Sequence, residues 1–95
     1  MMRNIEKQIT LIALTISFNP NPTKNIASLN FSSDKEYLTT FEVKNLTGNN
    51  VKTIDYQVKM GENIFTLDLS DLSNGVYIVK AVNNTKLGIH KLIKI

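Results

Sequence analysis

The clearest structural signal in the chain is the alternation in residues 63–69, which read Asn-Ile-Phe-Thr-Leu-Asp-Leu. Phe65, Leu67 and Leu69 fall on one face of an extended chain and polar residues on the other, because successive side chains of a strand point to opposite sides. This period of two is typical of a strand with one face in a core and one in water. Residues 63–69 therefore predict a half-buried antiparallel strand.

Similar short segments with turn signals between them follow in both directions. Residues 75–82 are almost continuously apolar, which predicts a central strand covered on both faces. Residues 71–75 predict an irregular crossing, and Thr-Gly-Asn-Asn at residues 47–50 predicts a hairpin. No segment from residue 20 onward has a sustained helical period, and the remaining predicted strands are Ile26–Phe31, Tyr37–Leu46, Val51–Val58 and Leu87–Ile95. The pattern predicts an all-β fold, a small antiparallel immunoglobulin-like β-sandwich of six or seven strands.

Length and composition fit a single small globular domain. The chain has 95 residues, of which 42% are hydrophobic and 20% charged. It contains no cysteine, so neither a disulfide framework nor a thiolate metal site can hold the fold. We expect packing alone to stabilise it.

The formal charge of +3 comes almost wholly from lysine. Lys80, Lys91 and Lys94 alternate with apolar residues, as expected on the solvent face of strands. Nucleic-acid-binding domains more often show clustered basic residues with interleaved aromatics. We therefore expect no nucleic-acid partner.

The first eighteen residues differ from the rest of the chain. Arg3 and Lys7 precede the apolar run Ile9–Phe18, which is too short to span a bilayer but matches the apolar core of a signal peptide. Glu6 and the lack of a small-residue cleavage site count against a signal peptide, and an additional strand or hydrophobic linker packed on the sandwich is an equal alternative. We divide the chain into residues 1–18, a leader of either kind, and residues 19–95, and expect no membrane insertion.

Few residues offer chemistry. His90 is the only histidine, and its place in an alternating segment favours a half-exposed strand residue over a base or a metal ligand. Asp68, Ser70 and Asp71 could form a weak calcium site, but hydrogen bonds that hold the crossing are the favoured interpretation. The sequence contains no motif for nucleophilic catalysis or phosphate binding. We expect no enzyme activity, no catalytic residue, no cofactor and no metal.

Three motifs and a tail occur in a recognisable order. Residues 18–23 contain Pro-Asn-Pro, residues 45–51 read Asn-Leu-Thr-Gly-Asn-Asn-Val, and residues 69–80 contain Leu-x-x-Gly-x-Tyr. Residues 91–95 form a basic, apolar tail. This ordered set resembles the type A C-terminal sorting domains of the type IX (Por) secretion system of Bacteroidota, over most of the sequence.

The resemblance marks the residues that we expect to define the fold or to be recognised: Pro20, Asn21, Pro22, Gly48, Gly75, Tyr77, Lys91 and Lys94. Their physical roles can be stated separately. The prolines fix φ and stiffen the start of the domain, and Gly48 suits the left-handed conformation of a tight hairpin. Gly75 permits a sharp turn, and Tyr77 can bury its ring while its hydroxyl finds a partner.

The resemblance implies a non-catalytic signal that directs an attached cargo through the type IX system to the cell surface or medium. The partners implied are the outer-membrane translocon and sortase components, met during transit through the periplasm, and we expect a monomer. Contact by strand addition or surface packing near the last strand is a hypothesis, with Lys91 and Lys94 orienting the domain. Family members follow a large cargo domain, and fewer than twenty residues precede the motif in this sequence. An excised domain, a gene fragment and a small complete protein all stay open.

The main alternative is an extracellular β-sandwich that binds carbohydrate or protein. Such sites often use exposed aromatic residues, for which Tyr37 and Tyr56 are the candidates. A purely structural cap or adhesion repeat is a third class.

Overall fold

The computed structural model describes residues 16–95, and its regular structure is entirely β. The prediction of an all-β antiparallel sandwich of six or seven strands is confirmed. The described residues form seven strands: β1 (Phe18–Asn19), β2 (Ile26–Ser33), β3 (Tyr37–Asn45), β4 (Asn50–Val58), β5 (Gly61–Asp68), β6 (Gly75–Val82) and β7 (Ile89–Lys94). Residues 16–95 include no helix that is long and apolar enough to span a membrane.

The strands divide into two sheets. A three-stranded sheet has the order β1-β2-β5, and a four-stranded sheet has the order β4-β3-β6-β7. Neighbouring strands within each sheet are antiparallel. The edge strands, which stand at the ends of these orders, are β1 and β5 in the first sheet and β4 and β7 in the second.

The core lies between the two sheets and follows the alternation seen in the sequence. Phe65, Leu67 and Leu69 are buried as predicted. The ring of Phe65 stacks on that of Phe41, with 4.0 Å between centroids. This contact joins β5 of one sheet to β3 of the other, and aromatic pairs of this kind contribute beyond the area that they bury.

β6 is central in its sheet, between β3 and β7, but the prediction that both of its faces are covered is wrong. Tyr77, Val79 and Ala81 face the core and are buried. Val76 and Ile78 on the opposite face are only half-buried. The reason is that no third layer packs on the four-stranded sheet within residues 16–95, so a run of β-branched residues remains in contact with solvent.

The predicted leader lies mostly outside the described residues, which begin at residue 16. Its last residue, Phe18, belongs to β1, pairs with Leu29 and is buried. Ile16 also packs against the core. The division into residues 1–18 and 19–95 stays a prediction.

Candidate functional site: the Pro-Asn-Pro segment against the last strand

Residues 20–23 lie along the outer edge of β7, and we call this segment the β7 cap. The side-chain amide of Asn21 donates to the carbonyl of Lys91 (2.8 Å) and accepts from the N–H of Ile93 (3.0 Å). A side-chain amide carries the same donor and acceptor as a peptide group. Asn21 therefore pairs with β7 much as a neighbouring strand would. The peptide bonds before Pro20 and Pro22 are both cis.

The main chain of Thr23 continues the cap. Its N–H donates to the carbonyl of Ile93 (2.8 Å), and its carbonyl accepts from the N–H of Ile95 (2.9 Å), which forms a parallel bridge opposite Lys94. Its hydroxyl donates to the carbonyl of Ile26 at 2.5 Å. Thr23 is buried, so the cap is anchored in the fold and does not merely lie on its surface.

The cap occupies the outward main-chain groups along the C-terminal half of β7. In an antiparallel pair, alternate residues direct their N–H and C=O groups away from the partner strand. On β7 these groups include the carbonyl of Lys91, both groups of Ile93 and the N–H of Ile95, all of which bond to the cap. This half of the edge is closed to an added strand.

The two lysines predicted for recognition face opposite ways. Lys91 is exposed, whereas Lys94 is only 8% exposed and its ammonium donates to the carbonyl of Leu72. The expectation that Lys94 lies on the solvent face is wrong, because strand alternation places it on the same side as buried Leu92. A recognition role for either residue stays a prediction, and Lys91 is the accessible one.

Gly75 and Tyr77 lie where the crossing enters β6. The hydroxyl of Tyr77 donates to the carbonyl of Ser73 at 2.5 Å, while its ring is buried. Tyr77 thus fixes the crossing to the strand that follows it. The backbone of Gly75 is close to fully extended, with φ of 158°.

Gly48 closes the β3–β4 hairpin. Its φ is 89°, a conformation that residues with a Cβ rarely adopt. The side-chain oxygen of Asn45 accepts from the N–H groups of Thr47 (3.1 Å) and Asn49 (3.0 Å), which holds the turn from inside. Gly48 lies far along the chain from the cap, and its observed role is in the turn.

Asp68 and Asp71 hold the start of the crossing. The N–H of Ser70 donates to Asp68 (2.9 Å), and this bond, with the Ser70 hydroxyl, lowers the pKa of the Asp68 carboxyl. The ammonium of Lys52 donates to Asp71 (2.9 Å) and lowers the pKa of its carboxyl. Lys52 also donates to the main-chain carbonyl of Asp68 (2.6 Å). Each carboxylate is thus satisfied by a neighbouring donor.

His90 packs edge-on against Phe18, with 5.4 Å between ring centroids, and its Nε2 lies 2.5 Å from the carbonyl of Leu87. This is a structural position at the end of the core. Within residues 16–95 no three His, Cys, Asp or Glu side chains lie close enough together to hold a metal ion.

Sequence reasoning marked Asn21 as part of a motif but missed what its side chain does. It also missed Thr23 and Asn63. The amide oxygen of Asn63 accepts from the N–H of Lys59 (2.9 Å), and its amide nitrogen donates to the carbonyl of Lys59 (2.8 Å), which closes the turn before β5. A polar residue at an inward position of an alternating strand was the available signal for Asn63.

One comparison with known proteins gives a match. The family model described as the secretion system C-terminal sorting domain matches residues 17–95. Neither the curated proteins nor the solved structures contain a match to the chain.

Proposed function

The chain belongs to the family of C-terminal sorting domains of type IX secretion, and from this we propose that it directs an attached cargo across the outer membrane without itself catalysing a reaction. The observation that carries the proposal is the extent of the match. It covers residues 17–95, which include every strand described above. The whole sandwich is therefore the unit of the family.

The route that we propose has three steps. The parent protein crosses the inner membrane by the Sec pathway, and the domain folds in the periplasm. The folded domain docks on the outer-membrane translocon as a monomer. A sortase of the system then cleaves ahead of it, and the cargo is attached to the cell surface or released.

A non-catalytic role is supported by how the polar side chains are used. His90, Asp68 and Asp71 each contact a group that holds the fold. Catalytic sites instead bring acids, bases and nucleophiles together around an open position for substrate.

The test is a fusion of the full chain behind a Sec-targeted fluorescent protein in a cell with a working type IX system. We expect fluorescence at the surface or in the medium. The matched controls are the reporter without the chain and the same fusion in a cell that lacks the translocon. Retention of the intact, folded fusion in the periplasm of the competent cell would contradict the proposal.

The alternative of a carbohydrate-binding module finds less support. All four Phe and three Tyr residues lie within the described part of the chain, and none is exposed. Tyr56 packs at the edge of the Phe65 ring (5.4 Å between centroids) and donates to Asn63 (3.1 Å). A flat aromatic platform for sugar stacking is therefore not formed by residues 16–95.

A further inference from the structure

The outer side of β6 and β7 is an aliphatic and basic surface, which we call the β6–β7 face. Alternation places the opposite side chains of both strands in the core, where Tyr77, Val79 and Leu92 are buried. Ile89 on the outer side is 66% exposed. The face consists of Val76, Ile78, Lys80, Ile89, Lys91 and Ile93.

The register mixes lysines and aliphatic side chains on this face. Ile78 lies opposite Lys91 on one side and opposite Lys44 on the other. Lys80 lies opposite Ile89. Directly opposed residues of an antiparallel pair have Cβ atoms about 5 Å apart, so each lysine adjoins an aliphatic side chain.

The two strands of the face carry charge of one sign, and the neighbouring strand β3 adds a single carboxylate, Glu42, which lies opposite Lys80 and 3.9 Å from the ammonium of Lys44. Every Asp and Glu of the chain lies at or before Asp71, whereas four lysines follow it: Lys80, Lys86, Lys91 and Lys94. Neither β6 nor β7 contains an acidic residue. The face therefore presents positive charge with no carboxylate from its own two strands.

The outer face of the three-stranded sheet is different in chemistry. Its opposed polar side chains bond to one another, as in the pair Ser28 and Thr66 (3.3 Å) and the pair Ser32 and Glu62 (2.5 Å). Two exposed aliphatic residues lie there, Ile64 (63% exposed) and Ile26 (50%), at separate positions in the register. Hydroxyls and carboxylates satisfied in this way have little to gain from a partner.

From these observations we propose that the β6–β7 face, and not the edge of β7, is the surface that docks on the export machinery, through a protein surface that combines carboxylates with aliphatic side chains. This proposal rests on the proposed function. The β7 cap closes the C-terminal half of the edge, which prevents a strand from pairing along the whole of β7, whereas the face is accessible along both strands. Complementary charge orients a partner and raises the rate of encounter, and burial of Ile78 and Ile89 stabilises the complex.

A protein partner fits this face better than a membrane surface. Binding at a bilayer interface typically uses clustered lysines together with Trp, Phe or Tyr. The β6–β7 face offers Lys80 and Lys91 with β-branched side chains alone. Lysines spaced between aliphatic residues suit specific pairing with carboxylates instead.

The experiment uses the full-chain reporter fusion with the double substitution Lys80→Glu and Lys91→Glu. Its matched control is Lys24→Glu with Lys59→Glu, which changes the net charge equally at exposed positions elsewhere. A second pair compares Ile89→Ser with Ile64→Ser, since these isoleucines are almost equally exposed on opposite faces. Surface positions are preferable to truncation of the tail, because Leu92 is fully buried.

We expect export of the reporter to slow about tenfold for the β6–β7 variants and to stay near the unchanged rate for both controls. Unfolding midpoints of the purified chains verify that all variants are folded. If the unchanged fusion is exported and the β6–β7 variants are exported equally fast, the docking proposal is wrong while the proposed function stands. Equal slowing of face variants and controls would also overturn it.

A sedimentation assay with phosphatidylglycerol vesicles tests whether the face binds an anionic membrane instead of a protein. We expect the purified chain not to sediment with them. Sedimentation that is lost in the Lys80→Glu, Lys91→Glu variant would overturn the protein partner in favour of an anionic membrane.

Discussion

The two sheets are joined along both of their sides, by the β1–β7 contacts on one side and the β4–β5 contacts on the other, and these contacts differ in kind. On one side the main chain itself passes from β1 to β7, and the cap at residues 20–23 joins the two sheets. On the other side, side chains of β4 reach the main chain of β5. Lys52 donates to the carbonyl of Asp68 (2.6 Å), and the hydroxyl of Tyr56 lies 3.4 Å from the carbonyl of Ile64.

The two sides differ in how strongly salt and pH affect the contacts that hold them. A cap made of backbone and amide groups carries no net charge, so salt and pH have little direct effect on it. The β4–β5 side depends on an ammonium group and on carboxylates that titrate, and exposed charges are screened by salt. We expect the contacts on the β1–β7 side to contribute more to the free energy of unfolding than those on the β4–β5 side. The contribution of the β4–β5 side should change with salt and pH.

The largest effect is expected at Lys94, beside the cap. Lys94→Glu replaces the ammonium that donates to the carbonyl of Leu72 with a carboxylate at a buried position, near the Asp68 carboxylate whose pKa Lys94 helps to lower. The free energy of unfolding should fall by about 3 kcal/mol or more, as when a buried charge loses its compensation. Urea unfolding measures this. Lys91→Glu, an exposed change on the same strand, is the control and should shift it by less than about 0.5 kcal/mol. Equal losses would contradict the buried placement of Lys94.

The next effect concerns the cap directly. Asn21→Ala removes two hydrogen bonds to β7 and should lower the free energy of unfolding by about 1–2 kcal/mol. Asn21→Asp keeps the acceptor for Ile93 but turns a carboxylate oxygen towards the carbonyl oxygen of Lys91, where two acceptors repel, so its loss should be no smaller. Hydrogen exchange at the Ile93 amide should quicken in the alanine variant. Asn30→Ala, an exposed asparagine on β2, is the control, and an equal loss there would count against the cap.

A smaller effect is expected on the β4–β5 side. Lys52→Met keeps the aliphatic stem and removes the ammonium that bonds Asp68 and Asp71. We expect a loss of stability below that of Asn21→Ala, and the difference from the unchanged chain should shrink at high salt. Thermal unfolding at low and high salt measures both. A loss that does not depend on salt would mean that the hydrogen bond to the carbonyl of Asp68, and not the ion pair with Asp71, holds this side.

The smallest effect is the acid dependence. The carboxyls of Asp68 and Asp71 have pKa values below the ordinary 3.8 in the folded chain. The folded state therefore binds these protons less readily than the unfolded state. The stability that they contribute is fully present above the unfolded pKa and is lost as the pH falls from about 4 through the lowered values. Asp71→Asn should flatten this decline in unfolding curves taken below pH 4, and an unchanged slope would contradict it.

The strands could be predicted from the sequence because alternation is a local property. The predicted strand at residues 75–82 coincides with β6, the one at residues 63–69 overlaps most of β5 (Gly61–Asp68), and the left-handed Gly48 followed from its turn. The cap could not be predicted, since Asn21 meets Lys91 and Ile93 some seventy positions later through a side chain that imitates backbone. A strand of two residues, such as β1, is likewise too short to show a period.

Lys94 and the β6–β7 face show the limits of composition. Lys94 lies between apolar residues, which suggested that it is exposed to solvent. The alternation of side chains along β7 instead places it on the same side as Leu92, in the interior. An unbroken apolar run suggested cover on both faces of β6, and the fold supplies it on one. Both outcomes depend on the neighbouring layers, which the sequence of a single strand does not specify.

The cap has a consequence for synthesis in the cell. Residues 91–95 are synthesised after all other described residues. The cap nevertheless bonds to Ile93, and the core includes Leu92. The sandwich is thus complete only once translation has passed this point. A chain that stops before residue 91 lacks the groups that bond Asn21 and Thr23, so closure of this side of the sandwich waits for the synthesis of the last strand.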